Sequence, residues 1–98
     1  MAQLLKTPYF ARWLDNLRDD RARSRIQIRI QRLADGNVGD VRPIGSGVSE
    51  LRIDYGPGYR VYFTIGVRGV IVLLAGGQKR NQQRDIQIAL HFARNLEG

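Results

Sequence analysis

The sequence predicts an α+β fold with the element order β-α-α-β-β-β-α. Apolar residues recur at helical spacing in the first third and at the end of the chain, whereas the middle alternates apolar and polar residues as a half-buried sheet does. Glycine-rich turns separate the alternating segments. With 98 residues, the chain is predicted to form a single domain over residues 1–98.

The first third is predicted to contain one strand and two helices. Residues 1–6 form a short apolar strand, after which Thr7 is suited to a helix N-cap and Pro8 to the first helical position. Asp19 or Asp20 can cap a second helix that ends near Ala34. The residues predicted to face the core from these helices are Phe10, Trp13, Leu14, Leu17, Ala22, Ile26, Ile30 and Leu33.

The rest of the chain is predicted to form an antiparallel meander followed by a helix. Residues 36–47 are rich in glycine and are predicted to be a loop. Strand patterns begin at Val48, Tyr59 and Val70, separated by turns at 56–58 and 66–69. The pair Gly76-Gly77 is predicted to end the last strand, and the final helix begins at Asn81 or Asp85.

The register of the first hairpin follows from burial. The apolar residues on its two strands share one face if Tyr55 opposes Tyr59, because a slip by one residue would turn Arg60 into the core. The other face is predicted to be open, with Asp54 opposite Arg60, Arg52 opposite Tyr62 and Glu50 opposite Thr64. From the residues alone, this face is either a solvated surface held by cross-strand ion pairs or a binding surface around Arg60.

The charge balance favours a polyanionic partner. The chain carries 16 Lys+Arg against 9 Asp+Glu, a net charge of +7, and all of these cations except Lys6 and Lys79 are arginines. Because the guanidinium group binds phosphate bidentately, nucleic acid is the favoured partner, with an acidic protein or an anionic surface as alternatives. The second helix carries a row of arginines that is either a solvated face or a contact surface, formed by Arg21, Arg25, Arg29 and Arg32.

A second basic segment, GGQKRNQQRD, covers residues 76–85. It places Lys79 and Arg80 just before a predicted helix N-terminus, where free N–H groups attract phosphate, although a polar capping turn would look the same. Since neighbouring strands of a meander share their ends, Lys79 is expected to lie toward Arg60.

Several classes of protein are excluded or disfavoured. The absence of cysteine excludes disulfides and thiolate metal sites. No apolar run approaches the roughly 18 residues that a membrane span needs, and no signal-peptide pattern begins the chain, so a soluble, cytoplasmic protein without a membrane partner is predicted. No metal-ligand cluster or nucleophile–base motif is recognisable, and no cofactor or metal site is predicted.

Four stretches of the chain together resemble a known family. They are F-x-x-W-L-x-x-L from Phe10, R-I-x-R-L-x-x-G-N-x-G-D from Arg29, G-x-G-V-x-E-L-R-I-D-x-G-P-G-Y-R-V-Y-F from Gly45, and L-L-x-G-G-x-K-x-x-Q-x-x-D-I from Leu73. They are similar to the addiction-module killer proteins, the HigB-like branch of the RelE/ParE toxin superfamily. The resemblance implies a RelE-like fold, in which an N-terminal strand and two helices pack on an antiparallel sheet, followed by a C-terminal helix.

The same resemblance implies a function. The expected protein is the toxin of a type II toxin–antitoxin module, a metal-independent endoribonuclease that cuts mRNA on the translating ribosome and so inhibits translation. Its partners would be the ribosome, mRNA and a cognate antitoxin of the helix-turn-helix type, and operator DNA would be reached only through the antitoxin complex. The alternatives are a ParE-like poison of DNA gyrase without nuclease activity and a plain nucleic-acid-binding module.

The resemblance also implies roles for individual residues. Arg60 matches the strand arginine that contacts the scissile phosphate, Lys79 a second basic catalytic group, and Arg52 a basic position on the preceding strand. Glu50 is the expected base, while the acid is left open because the Tyr or His of many relatives is missing from residues 84–86. The expected RNA-binding residues are Arg80, Tyr62, Arg84, Arg25 and Arg29.

Overall fold

Residues 2–96, which the computed structural model describes, form a five-stranded sheet and three α-helices. Met1, where the first strand was predicted to begin, and residues 97–98 lie outside the described residues. The strands are β1 (Leu4–Lys6), β2 (Val41–Gly45), β3 (Val48–Ile53), β4 (Tyr59–Ile65) and β5 (Ile71–Gln78); the helices are α1 (Pro8–Asp15), α2 (Asp20–Ala34) and α3 (Gln82–Arg94). The α+β class is confirmed.

The helix starts agree with the sequence. Thr7 caps α1, and its Oγ1 accepts a hydrogen bond from the backbone N–H of Phe10 at 3.0 Å. Asp19 caps α2 and accepts from the first free N–H groups of that helix, those of Arg21 and Ala22. These side chains satisfy donors that have no partner within the helix. No helix in the described part of the chain is long and apolar enough to cross a membrane.

The sheet is larger than predicted. Its strand order is β1-β5-β4-β3-β2, with β1 parallel to β5 and the other neighbours antiparallel. The prediction that residues 36–47 are loop is wrong at Val41–Gly45, because this segment pairs with β3 as an edge strand. Pro43 is tolerated there, since an edge strand has a side on which no N–H donor is needed. The strand is short, contains Pro43 and has glycines on both sides, so the sequence shows no clear strand pattern there.

The glycine pair does not end β5, which is a second correction. The strand continues through Gly76 and Gly77 to Gln78. A Cβ atom at Gly76 would lie 2.3 Å from ring carbons of Trp13, and one at Gly77 would lie 1.8 Å from Oδ2 of Asp85. Each glycine therefore allows a side chain to approach one face of the strand closely, and neither glycine ends the strand.

Helices cover both faces of the sheet. Successive side chains of a strand point to opposite faces. The larger core lies between α1, α2 and one face, formed by residues such as Phe10, Leu14, Ile26, Ile30, Leu51, Val61 and Phe63. The smaller core lies under α3 on the other face and contains Val48, Tyr62, Leu74, Ala75 and Ala89. The prediction that the second face is open is wrong, because Tyr62 is fully buried and Arg60 is only 5% exposed.

The hairpin register differs from the prediction by two residues. Arg52 pairs with Arg60 and Glu50 pairs with Tyr62, and the ladder ends at Ile53 and Tyr59. Burial fixed the parity correctly, so every side chain lies on its predicted face. The loop is longer than predicted, running from residue 54 to residue 58, because it closes through a hydrogen bond from Gly58 N–H to the Tyr55 carbonyl. The length of this loop, and not the apolar pattern, sets the pairs.

Candidate functional site

Basic side chains from three segments meet at one cavity, which we call the cationic cavity. It lies beside the β3–β4 loop, where β5 ends, and has a volume of about 270 Å³. Its lining consists of Asp40, Arg52, Ile53, Asp54, Gly58, Arg60 and Lys79. The three residues expected to act on phosphate, which lie at separate points of the sequence, therefore line the same space.

Gly58 is the point at which two of these cations approach each other. Its φ of 81° is a left-handed conformation that favours glycine. A Cβ atom here would lie 3.4 Å from Cβ of Lys79 and 3.7 Å from Nη1 of Arg60. The backbone N–H of Lys79 donates to the carbonyl oxygen of Gly58 at 2.7 Å. This bond fixes the backbone of Lys79 against the β3–β4 loop, so that its side chain starts at the cavity.

Two arginines lie directly opposite each other in the sheet. Arg52 and Arg60 are ladder partners, an arrangement in which like charges repel. Glu50 compensates both of them: its Oε2 lies 3.7 Å from Nε of Arg60, and its Oε1 lies 4.0 Å from Nε of Arg52. An anion in the cationic cavity would meet two guanidinium groups that one carboxylate already holds side by side.

Glu50 is the centre of a buried polar cluster. Only 1% of it is exposed, and its Oε2 accepts hydrogen bonds from the Tyr62 hydroxyl at 3.1 Å and from Nε2 of Gln82 at 2.8 Å. Burial raises the pKa of Tyr62 far above its usual value, and the charge of Glu50 and their hydrogen bond raise it further. The phenol therefore keeps its proton, and its ring lies beneath α3, where an RNA base cannot stack on it.

Asp85 is a second buried carboxyl group under α3. It is 1% exposed, and its side chain lies against the backbone of Gly77, the ladder partner of Arg60. Burial raises its pKa, while the Arg84 guanidinium, which donates to Oδ1 at 3.2 Å, opposes that shift. Within residues 2–96, Oδ2 has no hydrogen-bond partner. Asp85 had been considered only as a helix start, because sequence spacing carries no sign of its burial.

The α2 arginines form a second basic surface next to the first. A cavity of about 290 Å³, which we call the helix cavity, is lined by Arg25, Ile28, Arg29, Arg32, Ile53 and Asp54. Arg29 donates to the carbonyl of Arg52 at 2.9 Å, so its guanidinium is partly used to hold α2 on β3. Arg25 lies over the ring of Tyr55, 4.6 Å from its centroid. Ile53 and Asp54 line both cavities, so the two are contiguous.

The remaining expected RNA-binding residues lie at the surface nearby. Arg80 follows Lys79 in a short 3-10 turn and is exposed, as is Arg84 in the first turn of α3. Neither belongs to the lining of the cationic cavity. Asp40, which does belong to it, was not considered as a site residue, although it closes the G-N-x-G-D motif. Its backbone carbonyl accepts from the N–H of Arg52 at 3.0 Å, which places it beside β3.

The arrangement is chemically suited to an anion. Three cations in a confined space can bind phosphate oxygens, since charge-assisted hydrogen bonds are stronger than neutral ones. Asp40 and Asp54 in the same lining offset part of this positive charge. Among residues 2–96, no three His, Asp or Glu side chains are grouped in the way that a metal ion would require.

Comparison with known proteins gives a family and a relative. Residues 12–93 match the family described as phage-derived proteins similar to Gp49. The chain is also similar to an uncharacterized protein of Haemophilus influenzae, with 43% identity over 94 residues that cover 96% of this chain and 95% of the relative. The family match covers β3, β4 and β5 entirely, and with them every residue that lines the cationic cavity.

Proposed function

The chain belongs to the Gp49-like family of phage-derived proteins, a toxin-like family, and from this premise we propose that it is the toxin of a toxin–antitoxin module. We further propose that it has a RelE-like fold and acts as a ribosome-dependent mRNA endonuclease of the HigB type. The observation that carries this proposal is the convergence of Arg52, Arg60 and Lys79 on one cavity. Phosphate transfer within RNA needs such a concentration of positive charge where the phosphorane forms.

The proposed reaction is attack of an RNA 2′-OH on the adjacent phosphate. It leaves a 2′,3′-cyclic phosphate and a 5′-OH. Arg60 and Arg52 bind the non-bridging oxygens, and the Lys79 ammonium stabilises the leaving O5′ and gives it a proton. Burial of Glu50 among four donor groups supports a positioning role, in which it holds both guanidinium groups toward the phosphate.

The proposed RNA contacts extend beyond the cationic cavity. Arg80 is exposed next to Lys79, Arg84 is exposed in the first turn of α3, and Arg25 and Arg32 line the helix cavity. Arg29 is proposed to contribute less to RNA binding than these arginines, because its guanidinium already donates hydrogen bonds to backbone carbonyls. Each arginine that contacts a phosphate would increase the affinity for RNA, and this increase would become smaller at higher salt concentration.

A cognate antitoxin, proposed to carry a helix-turn-helix domain, would keep the toxin inactive. It would cover the cationic cavity or hold the basic face of α2 away from the ribosome. The net charge of +7 favours an acidic binding segment in that partner. Co-expression with the neighbouring gene tests this proposal: the two chains should purify together, and failure to associate would refute it.

The proposed function is tested by inducing the protein in a bacterial host and mapping cleaved transcripts by primer extension. The wild type should arrest growth and cut mRNA at positions covered by translating ribosomes. Lys79→Ala should reduce cleavage by about 10²–10³-fold, as loss of one group that stabilises developing charge does. Arg68→Ala is the matched control, since Arg68 is an exposed cation in the β4–β5 turn, and it should cleave like the wild type.

The outcomes separate the proposed function from its alternatives. Intact mRNA accompanied by broken DNA and an SOS response would refute the nuclease and support a gyrase poison. RNA binding with no cleavage at any protein concentration would refute it in favour of a plain binding module. Arg60→Ala should also lose cleavage, but its folding must be verified by circular dichroism, because this substitution leaves Glu50 without its buried ion-pair partner.

A further inference from the structure

Because Glu50 is buried and is proposed to position the arginines, the reaction still needs another residue as the general base. A general base must lie within hydrogen-bond reach of the hydroxyl group that it deprotonates. Among the described residues, the carboxylates that line the cationic cavity are Asp40 and Asp54. We propose that Asp54 is the general base that takes the 2′-OH proton. This inference rests on the function proposed above and names the base of the same site.

The position of Asp54 in the β3–β4 loop distinguishes it from other carboxylates. It directly follows Ile53, whose ladder partner Tyr59 directly follows Gly58. Asp54 therefore lies across the loop from Gly58, the point that Lys79 and Arg60 both approach. The chain turns at this residue, since the backbone N–H of Tyr55 donates to the carbonyl oxygen of Ile53 at 3.0 Å, and the Asp54 side chain is exposed. Asp54 therefore shares the lining of one cavity with all three cations.

The boundary between the two cavities gives a second reason to assign the general base to Asp54. Asp54 lines both the cationic cavity and the helix cavity, whereas Asp40 lines only the first. An RNA strand that has its scissile phosphate near Arg60 and continues to Arg25 and Arg32 must pass over Asp54. The ribose on that path is the one whose 2′-OH would face the carboxylate. A group at the junction can contact both the attacking oxygen and its neighbouring phosphate.

The reaction step is balanced with these groups. An oxygen of the Asp54 carboxylate takes the proton from O2′, and the O2′ electron pair forms the new P–O2′ bond. The P–O5′ bond breaks, its electron pair stays on O5′, and O5′ takes a proton from the Lys79 ammonium. The products are the 2′,3′-cyclic phosphate, the 5′-OH, a protonated Asp54 and a neutral Lys79. Exchange with water then returns both side chains to their starting states, and no oxidant or co-reactant is needed.

The test uses the purified protein and ribosomes programmed with a short mRNA. Single-turnover cleavage is measured for the wild type, Asp54→Asn, Asp54→Glu and Asp40→Asn. Affinity is measured separately on ribosomes whose mRNA carries a 2′-deoxy nucleotide at the cleavage position, which cannot react. Asp15→Asn is the matched control, because Asp15 is an exposed carboxylate at the end of α1. Every substitution is at an exposed aspartate, so all variants are expected to fold.

The expected result is a loss of rate without a loss of binding. Asp54→Asn should lower the cleavage rate by about 10²–10⁴-fold, the usual contribution of a general base. Its affinity for the deoxy mRNA complex should be equal or higher, because a negative charge near the RNA has been removed. Asp54→Glu should recover part of the rate, and Asp15→Asn should match the wild type. A purely structural role would lower rate and affinity together.

Two results would overturn the inference and are distinguishable from each other. If the wild type cleaves but Asp54→Asn cleaves equally fast, or if Asp40→Asn alone loses the rate, Asp54 is not the base while the proposed function stands. If the wild type leaves ribosome-bound mRNA intact, the proposed function fails, and the role of Asp54 fails with it.

Discussion

Replacing Glu50 with Gln should destabilise the protein strongly, because the carboxylate compensates a buried guanidinium. Arg60 is 5% exposed, and its Nε lies 3.7 Å from Oε2 of Glu50. Removing one partner of a buried ion pair typically costs about 3–5 kcal/mol, because the other charge remains buried without compensation. The Arg52 contact is longer and partly exposed, so it adds at most about 1 kcal/mol. We therefore expect a loss of about 3–6 kcal/mol, a large part of the roughly 5–15 kcal/mol that holds a domain together.

The geometry gives Gln no alternative arrangement at this position. Oε2 of Glu50 accepts from Tyr62 and Gln82, and Oε1 faces Arg52. If the amide oxygen of the new side chain serves the first two donors, its NH2 group points at the Arg52 guanidinium, donor against donor. In the opposite orientation the Tyr62 hydroxyl can accept from the new NH2 group, but Nε2 of Gln82 then faces another donor. Each orientation therefore leaves one donor of the cluster without its acceptor, either the partly exposed Arg52 or Gln82, which costs up to about 1–3 kcal/mol and is part of the expected loss.

The free energy of unfolding is measured by urea denaturation at neutral pH with Trp13 fluorescence as the signal. Asp54→Asn is the control on the adjacent exposed carboxylate, and it should change the free energy by less than about 1 kcal/mol. A double-mutant cycle of Glu50→Gln with Tyr62→Phe should give a coupling energy of about 0.5–3 kcal/mol. A loss below about 1 kcal/mol together with complete loss of RNA cleavage would refute the positioning role and restore Glu50 as a candidate base.

Two further substitutions test the packing around β5. Gly76→Ala should destabilise the protein by about 1–3 kcal/mol in urea denaturation, because the new methyl group would overlap the rigid ring of Trp13. Gly66→Ala is its control, since φ there is −89° and the nearest atom would be 3.7 Å away, and equal effects at the two positions would contradict the packing. Asp85→Asn tests the raised pKa of Asp85. The protonated Asp85 carboxyl contributes its full stabilisation at pH values below 3.8, its ordinary pKa, and this stabilisation is lost as the pH rises through the higher pKa of the folded state. The stability of Asp85→Asn relative to the wild type should therefore increase as the pH rises above 3.8, whereas a constant difference would show that Asp85 ionises in the folded protein as it does in the unfolded chain.

The local elements were predictable because their signals are local. Thr7 and Asp19 predict helix starts because their side chains accept hydrogen bonds from N–H groups only two or three residues further along the chain. The alternation in β3 and β4 fixed which side chains face the larger core, since a slip by one residue would bury Arg60 there. The strand at Val41–Gly45 was missed because its pairing with β3 is a tertiary interaction and its own pattern is too short to be distinctive.

By itself, the sequence determined the fold class, the excess of arginine and the separate positions of Arg52, Arg60 and Lys79. The tertiary structure alone decided that these cations share one cavity, that Glu50 and Tyr62 lie buried beside them, and that Asp40 and Asp54 line the same cavity. Covalent neighbours and side-chain periodicity specify which face a residue occupies. Whether that face is open depends on α3, which comes from a distant part of the chain and covers Tyr62 and its neighbours on the face that the hairpin alone would leave to water.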